Sequence, residues 1–175
     1  MTPQTVPDAV FHTRVRNPAL GGDNPFEWKD VTSDEIFSGK TVVVFALPGA
    51  FTPACSDSHL PGYERLYDDL RAAGVDEVYA LSVNDAFVMF QWGKSRDIEK
   101  VKMLPDGNGE FTRKMGMLID RTATGMGMRS WRYAMLVEDG TIAQLFAEPG
   151  FQDNPSGMPL DRSAAEVMLD WLRSR

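Results

Sequence analysis

Residues 41–47 read TVVVFAL, and Pro48-Gly49 ends the run. The stretch is β-branched and apolar at nearly every position. That is the pattern of a strand covered on both faces, not of one with a wet side. A chain built on such a strand must supply a layer for each face, and the segments that follow can do so. From Pro53 to about Ala73 the apolar residues Leu60, Tyr63, Leu66, Tyr67 and Leu70 recur at spacings of three and four, which predicts a helix. Residues 77–83 (EVYALSV) read as a second strand, and Asn84-Asp85 offers caps for a helix over 86–92. A weaker strand is expected at 101–104 and a short helix at 110–116. Residues 132–137 and 141–146 flank Glu138-Asp139-Gly140, the signature of a β-hairpin with a glycine-containing turn. A last helix over 161–172 places Ala164, Val167, Met168, Trp171 and Leu172 on one face.

Strand–helix alternation implies parallel pairing in the first half, and the hairpin adds antiparallel strands. The expected fold is therefore α/β, a mixed central sheet flanked by helices. A thioredoxin-like sandwich has this order, as do other α/β folds. No repeat, low-complexity tract or long linker interrupts the 175 residues, so one domain over 1–175 is expected. A formal net charge of −7 argues against general nucleic-acid binding, which needs clustered Lys and Arg. No apolar run is long enough to span a bilayer, and the N-terminal residues lack the pattern of a signal peptide. With one cysteine no intrachain disulfide can form, and a reducing, cytoplasmic location is the expectation.

That cysteine, Cys55, lies in LPGAFTPACSDSHLPGY. Thr52 is a good N-cap and Pro53 suits the first helical position. Cys55 then falls in the first turn, where free N–H groups and the helix dipole favour an anion, and the thiolate is the reactive form of the residue. The second thiol of C-x-x-C exchange is absent, because Ser56, Asp57 and Ser58 follow. One cysteine with His12 and His59 makes a poor zinc set. His59 stands four residues past Cys55, which would allow a Cys–His hydrolase or transferase, but Pro61 follows closely and no third, orienting residue is evident, so a hydrogen-bonded structural histidine is the preferred reading. Arg129 and Arg132 frame Trp131 at the start of the first hairpin strand. Either could bring a fixed charge towards a thiolate, or simply pair at the surface.

PGAFTPACSDSHLPGY resembles the active-site segment of the peroxiredoxins, whose signature Pro-x-x-x-Thr/Ser-x-x-Cys is filled by Pro48, Thr52 and Cys55. HLPG at 59–62, LSVNDAF at 81–87, Trp92-Gly93 and RYAMLVEDG at 132–140 are similar, in order, to further segments of the type II, peroxiredoxin-five-like subfamily. The resemblance implies a thioredoxin-like fold and a thiol peroxidase acting on hydrogen peroxide and organic hydroperoxides. Cys55 would be the peroxidatic cysteine, passing through a sulfenic acid. Thr52 would hydrogen-bond the peroxide, Arg132 would stabilise thiolate and peroxide oxygens with Arg129 as a possible assistant, and Pro48 would shield the pocket. No metal, haem or flavin is implied. Relatives often carry a second, resolving cysteine, either before SVND or late in the chain. This sequence has neither, so an external thiol must complete the cycle: glutathione and/or glutaredoxin, in preference to thioredoxin. The subfamily commonly forms homodimers, which would place Phe51 and Phe87 near the subunit contact or, alternatively, in the monomer core. Beside the peroxidase stand two alternatives, the Cys55–His59 hydrolase and a non-enzymatic redox sensor.

Overall fold

The computed structural model describes residues 2–175. An antiparallel hairpin of β1 (Val10–Arg16) and β2 (Phe26–Thr32) leads through α1 (Ser33–Phe37) into β3 (Thr41–Ala46). A helical stretch follows: a wide turn at Cys55–His59, then α2 (Leu60–Arg65) and α3 (Tyr67–Ala72). Next come β4 (Glu77–Ser82), α4 (Ala86–Ser95), β5 (Lys102–Pro105) and α5 (Glu110–Lys114). A small ribbon of β6 (Leu118–Asp120) and β7 (Met128–Ser130) precedes the hairpin of β8 (Tyr133–Glu138) and β9 (Thr141–Ala147), and α6 (Ala165–Arg173) closes the order.

The central sheet runs β5-β4-β3-β8-β9. β3 is parallel to β4 and antiparallel to β8, so the sheet is mixed and the apolar run lies at its middle. Its side chains alternate between two cores. Val43 and Phe45 pack with Leu60, Tyr63, Leu70, Trp92 and Met168 on one face; Val42, Val44 and Ala46 pack with Phe11, Phe37, Phe111 and Tyr133 on the other. Every residue from Val42 to Leu47 is fully excluded from solvent, which explains why the strand shows no polar alternation. The arrangement is a thioredoxin-like sandwich. The predicted hairpin turn is present, with Asp139 at φ +46° and Gly140 at φ +77°, the pair of left-handed residues that a tight two-residue turn needs.

Three expectations need correction. The helix expected over 53–73 is not continuous. It widens at Cys55–His59, where the Leu60 N–H reaches back five residues to the Cys55 carbonyl, and it breaks again at Leu66. Pro61 accounts for the widening, because a proline ring in a regular helix would meet the carbonyl four residues back, that of Asp57. The last helix begins at Ala165, four residues later than 161, because the N–H groups of Asp161 and Ser163 bond the Glu148 carboxylate instead. The β1–β2 hairpin was not anticipated. β2 (FEWKDVT) buries no residue fully, so it has no apolar face to read.

Candidate active site

β3 delivers the chain to a loop, residues 47–52, that is tied to the end of β4. The Leu47 N–H donates to the Leu81 carbonyl at 3.2 Å. The Ala50 N–H and the Ser82 hydroxyl both donate to Asn84 Oδ1, at 3.0 and 2.6 Å. Pro48 and Gly49 are buried within this loop. At its apex Phe51 holds φ +64° with its side chain 53% exposed, a strained backbone for a non-glycine residue and an aromatic ring offered to solvent. Gly49 permits a close approach: a Cβ there would lie 3.3 Å from both Arg129 Nη1 and Thr52 Cγ2.

The Thr52 hydroxyl does not cap the helix as expected. It donates to the Gly49 carbonyl at 2.7 Å, while the Thr52 carbonyl accepts from Ser56 N–H. The loop is thus closed on itself, and the lone pairs of the Thr52 oxygen stay available. One turn on, Cys55 is only 1% exposed. The indole N–H of buried Trp92 donates to Ser56 Oγ at 2.9 Å and fixes this turn against α4.

Arg132 comes from the residue immediately before β8, the strand beside β3, and is 2% exposed. Its Nη2 lies 3.4 Å from Cys55 Sγ and its Nη1 lies 3.0 Å from His59 Nδ1. The opposite ring nitrogen, His59 Nε2, is 3.1 Å from the Ser163 carbonyl, to which the Tyr63 hydroxyl also donates at 2.9 Å. A carbonyl can only accept, so the proton sits on Nε2 and Nδ1 accepts from the guanidinium. Burial, reinforced by the charge of Arg132, moves the imidazole from its ordinary 6.5 to about 3. His59 is therefore neutral, and its one basic nitrogen is already engaged by Arg132. It cannot serve as a base for Cys55, which removes the geometry a Cys–His hydrolase needs. Burial also pushes Tyr63 well above 10, so its hydroxyl stays a neutral donor.

The low histidine value has a measurable consequence. The folded protein resists protonation of His59 until about pH 3, whereas the unfolded chain protonates it near 6.5. The unfolded state then binds more protons, so the stability conferred by a neutral His59 is fully present above pH 6.5 and is lost as pH falls towards 3. Between pH 6 and 4, wild-type unfolding free energy is expected to fall more steeply than that of His59→Gln, by up to about 1.4 kcal/mol per pH unit. Urea titrations across that window measure the difference; parallel slopes would contradict a neutral His59.

Of the residues singled out in the sequence, Cys55, Thr52, Pro48 and Arg132 converge at the ends of β3 and β8. Arg129 takes another place: its Nε donates to the Met126 carbonyl at 2.8 Å and Nη1 to the Val83 carbonyl at 3.3 Å, beside Gly49 and without a bond to the thiol. Burial first, and then the nearby charge of Arg121, lower its pKa below the ordinary guanidinium value. His59 as the holder of Arg132, Asn84 as the anchor of the loop and Trp92 as the anchor of Ser56 were not assigned from the sequence. All three stand in segments, HLPG, LSVNDAF and Trp92-Gly93, whose pattern carried the resemblance without saying what each residue does.

A single buried thiol facing a guanidinium on a thioredoxin-like sheet defines a one-cysteine thiol redox protein. Comparison with known proteins agrees. The redoxin family model matches residues 18–159. A peroxiredoxin of Synechocystis sp. is 58% identical over 173 residues, 99% of this chain and 92% of the relative. Among solved structures, the Plasmodium falciparum antioxidant protein, a 1-Cys peroxiredoxin, superposes with a TM-score of 0.90 at 35% identity, covering 98% of each chain. The reduced form of Prx3 from Vibrio vulnificus in complex with hydrogen peroxide superposes with a TM-score of 0.82 at 39% identity, covering 99% of this chain and 96% of that one. The chain belongs to the peroxiredoxin family, as a type II member with one cysteine. Its activity is that of a thiol peroxidase.

Proposed function

We propose that the chain reduces hydrogen peroxide and organic hydroperoxides at Cys55 and is turned over by glutathione, with or without glutaredoxin. The observation that carries the reading is the buried contact of 3.4 Å between Arg132 and Cys55 Sγ. The thiolate attacks the terminal peroxide oxygen. An S–O bond forms and the O–O bond breaks, its electron pair leaving with the distal oxygen, which takes up a proton and departs as water or alcohol. Sulfur is oxidised by two electrons to the sulfenic acid. Arg132 balances the thiolate before attack and the negative charge that develops on oxygen during it. The Thr52 hydroxyl proton is committed to Gly49, so its oxygen is the natural acceptor for the O–H of the incoming peroxide. Pro48, buried and lacking an N–H, keeps that side of the pocket free of a competing donor.

With no second thiol in the chain, glutathione condenses with the sulfenic acid to give a mixed disulfide and water. A second thiolate then attacks the glutathione sulfur of this disulfide, releases Cys55 as thiolate, and leaves oxidised glutathione or, with glutaredoxin, a glutaredoxin–glutathione mixed disulfide. Such a cycle belongs in a reducing compartment, and we place the protein in the cytoplasm. Among the described residues no helix is long and apolar enough to cross a membrane. The residues fold as one domain and pair as a homodimer through the face carrying Phe51 and Phe87, which are 53% and 50% exposed and so do not belong to the monomer core.

Peroxide consumption measured separately with glutathione, with glutathione plus glutaredoxin and with thioredoxin tests the reductant. The first two should sustain turnover, and turnover by thioredoxin alone would overturn the assignment. Sedimentation should give twice the chain mass, reduced to the monomer by Phe87→Asp; a monomeric wild type would remove the dimer.

A further inference from the structure

The hairpin that supplies Arg132 also places a buried acid opposite it in the strand register. Tyr133 pairs with Ala147 in the β8–β9 register, and the Glu148 N–H continues the ladder to the Arg132 carbonyl at 3.1 Å. Arg132 and Glu148 are thus directly opposite each other, and opposite residues of an antiparallel pair project to the same face. The next pair on that face is Ala134 with Phe146, and both pack in the core that contains Cys55 and Tyr63. Glu148 is only 3% exposed, and a buried carboxylate without a counter-charge is costly. Its Oε1 accepts from the Asp161 N–H at 2.9 Å, the Ser163 N–H at 2.9 Å and the Ser163 hydroxyl at 2.7 Å. The Ser163 carbonyl in turn fixes His59, and His59 accepts from Arg132. A closed circuit results, running from the Arg132 backbone through Glu148, Ser163 and His59 to the Arg132 guanidinium. Glu148 Oε2 and Arg132 Nε, two buried atoms on groups of opposite charge in this circuit, have no hydrogen-bond partner among the described residues.

We propose that Glu148 is the positioning residue of the active-site arginine. It is the buried counter-charge of Arg132, and by folding residues 161–163 it sets the histidine that aims the guanidinium at Cys55. This rests on the reading of Arg132 given above. Glu148 touches neither the thiol nor the peroxide, so its effect must pass through Arg132, and two measurements separate that role from simple support of the fold.

The first is thermal stability in two backgrounds. Glu148→Gln should lower Tm in the wild-type background, where it removes the partner of a buried cation. In the Arg132→Met background it should raise Tm, because it neutralises a carboxylate left alone. A change of the same sign in both backgrounds would overturn the proposal. The second is a comparison of rates. Glu148→Gln should slow the reaction of Cys55 with hydrogen peroxide about tenfold, and alkylation by iodoacetamide, which needs no oriented guanidinium, less than about threefold. Equal slowing of both, or of neither, would sink the assignment. Ser163→Ala removes only the bond of 2.7 Å and is the milder variant should Glu148→Gln fail to fold; it should show the same split, and its absence there would count equally against Glu148. Loss of peroxide reactivity in Arg132→Met with none in Glu148→Gln would remove this inference and leave the proposed function standing, whereas no loss in Arg132→Met would remove the role of the arginine itself.

Discussion

Arg132→Met is expected to react with peroxide roughly 100- to 1,000-fold more slowly than wild type, the usual size of the loss when one oriented donor to a developing oxyanion is removed. The side chain does two things at once, with one nitrogen 3.4 Å from Cys55 Sγ and another 3.0 Å from His59 Nδ1. Both are served by a planar fork of fixed geometry. Arg132→Lys keeps a charge but carries it on a single nitrogen, so it should fall between wild type and methionine and nearer to methionine. Rapid-mixing measurement of sulfenic acid formation under single-turnover conditions reads this step without the reductant. A methionine variant within threefold of wild type would remove Arg132 from the chemistry. Arg129→Met is the control. Its guanidinium is bonded to the carbonyls of Met126 and Val83, so its loss should be felt in loop stability more than in the rate of attack.

Cys55→Ser should abolish peroxide consumption to the uncatalysed background with every thiol donor. A serine hydroxyl is not ionised at neutral pH, and oxygen does not pass through a stable sulfenate-like state. The change is nearly isosteric within a pocket where the side chain is 1% exposed, and the new hydroxyl can still accept from Arg132, so the fold should persist. Circular dichroism establishes the fold and a peroxide assay the loss. Residual turnover above background in a folded Cys55→Ser protein would mean that peroxide is reduced elsewhere in the chain.

Much of this was legible in the chain, for identifiable reasons. β3 could be read because covering both its faces leaves no polar residue to interrupt the pattern. The β8–β9 hairpin could be read because Asp139-Gly140 is turn chemistry with few alternatives. Cys55, Thr52 and Pro48 lie within eight residues, in one loop and the helical turn that follows it, so local spacing carries them. Arg132 is 77 residues from Cys55; the sequence offered it beside Arg129, and only the family resemblance chose between the two, because no local rule links the start of β8 to a helix after β3. What escaped was of two kinds. β2 has no buried face, so it leaves no periodic trace. Glu148 and His59 are polar residues whose meaning lies in partners 15 and 104 residues away. Thr52 was read as a cap and, from the resemblance, as a residue that bonds the peroxide; the cap reading is the one that fails. The rule for helix starts is local, and it cannot foresee a hydroxyl turned back to Gly49.

The pairing of β3 with β8 carries a further consequence. Ala46 stands opposite Tyr133, so thiol and guanidinium are delivered by adjacent strands, one leaving the sheet and the other entering it. Side chains alternate faces along a strand, so a slip of one residue in that pairing would not weaken the contact between Arg132 and Cys55 but send the arginine to the far side of the sheet. On the roles proposed for Cys55 and Arg132, catalytic competence is thus quantised by strand alignment. A population of misaligned or half-annealed molecules would show up as fewer working enzymes with unchanged turnover, and titrating active sites would count correctly threaded sheets.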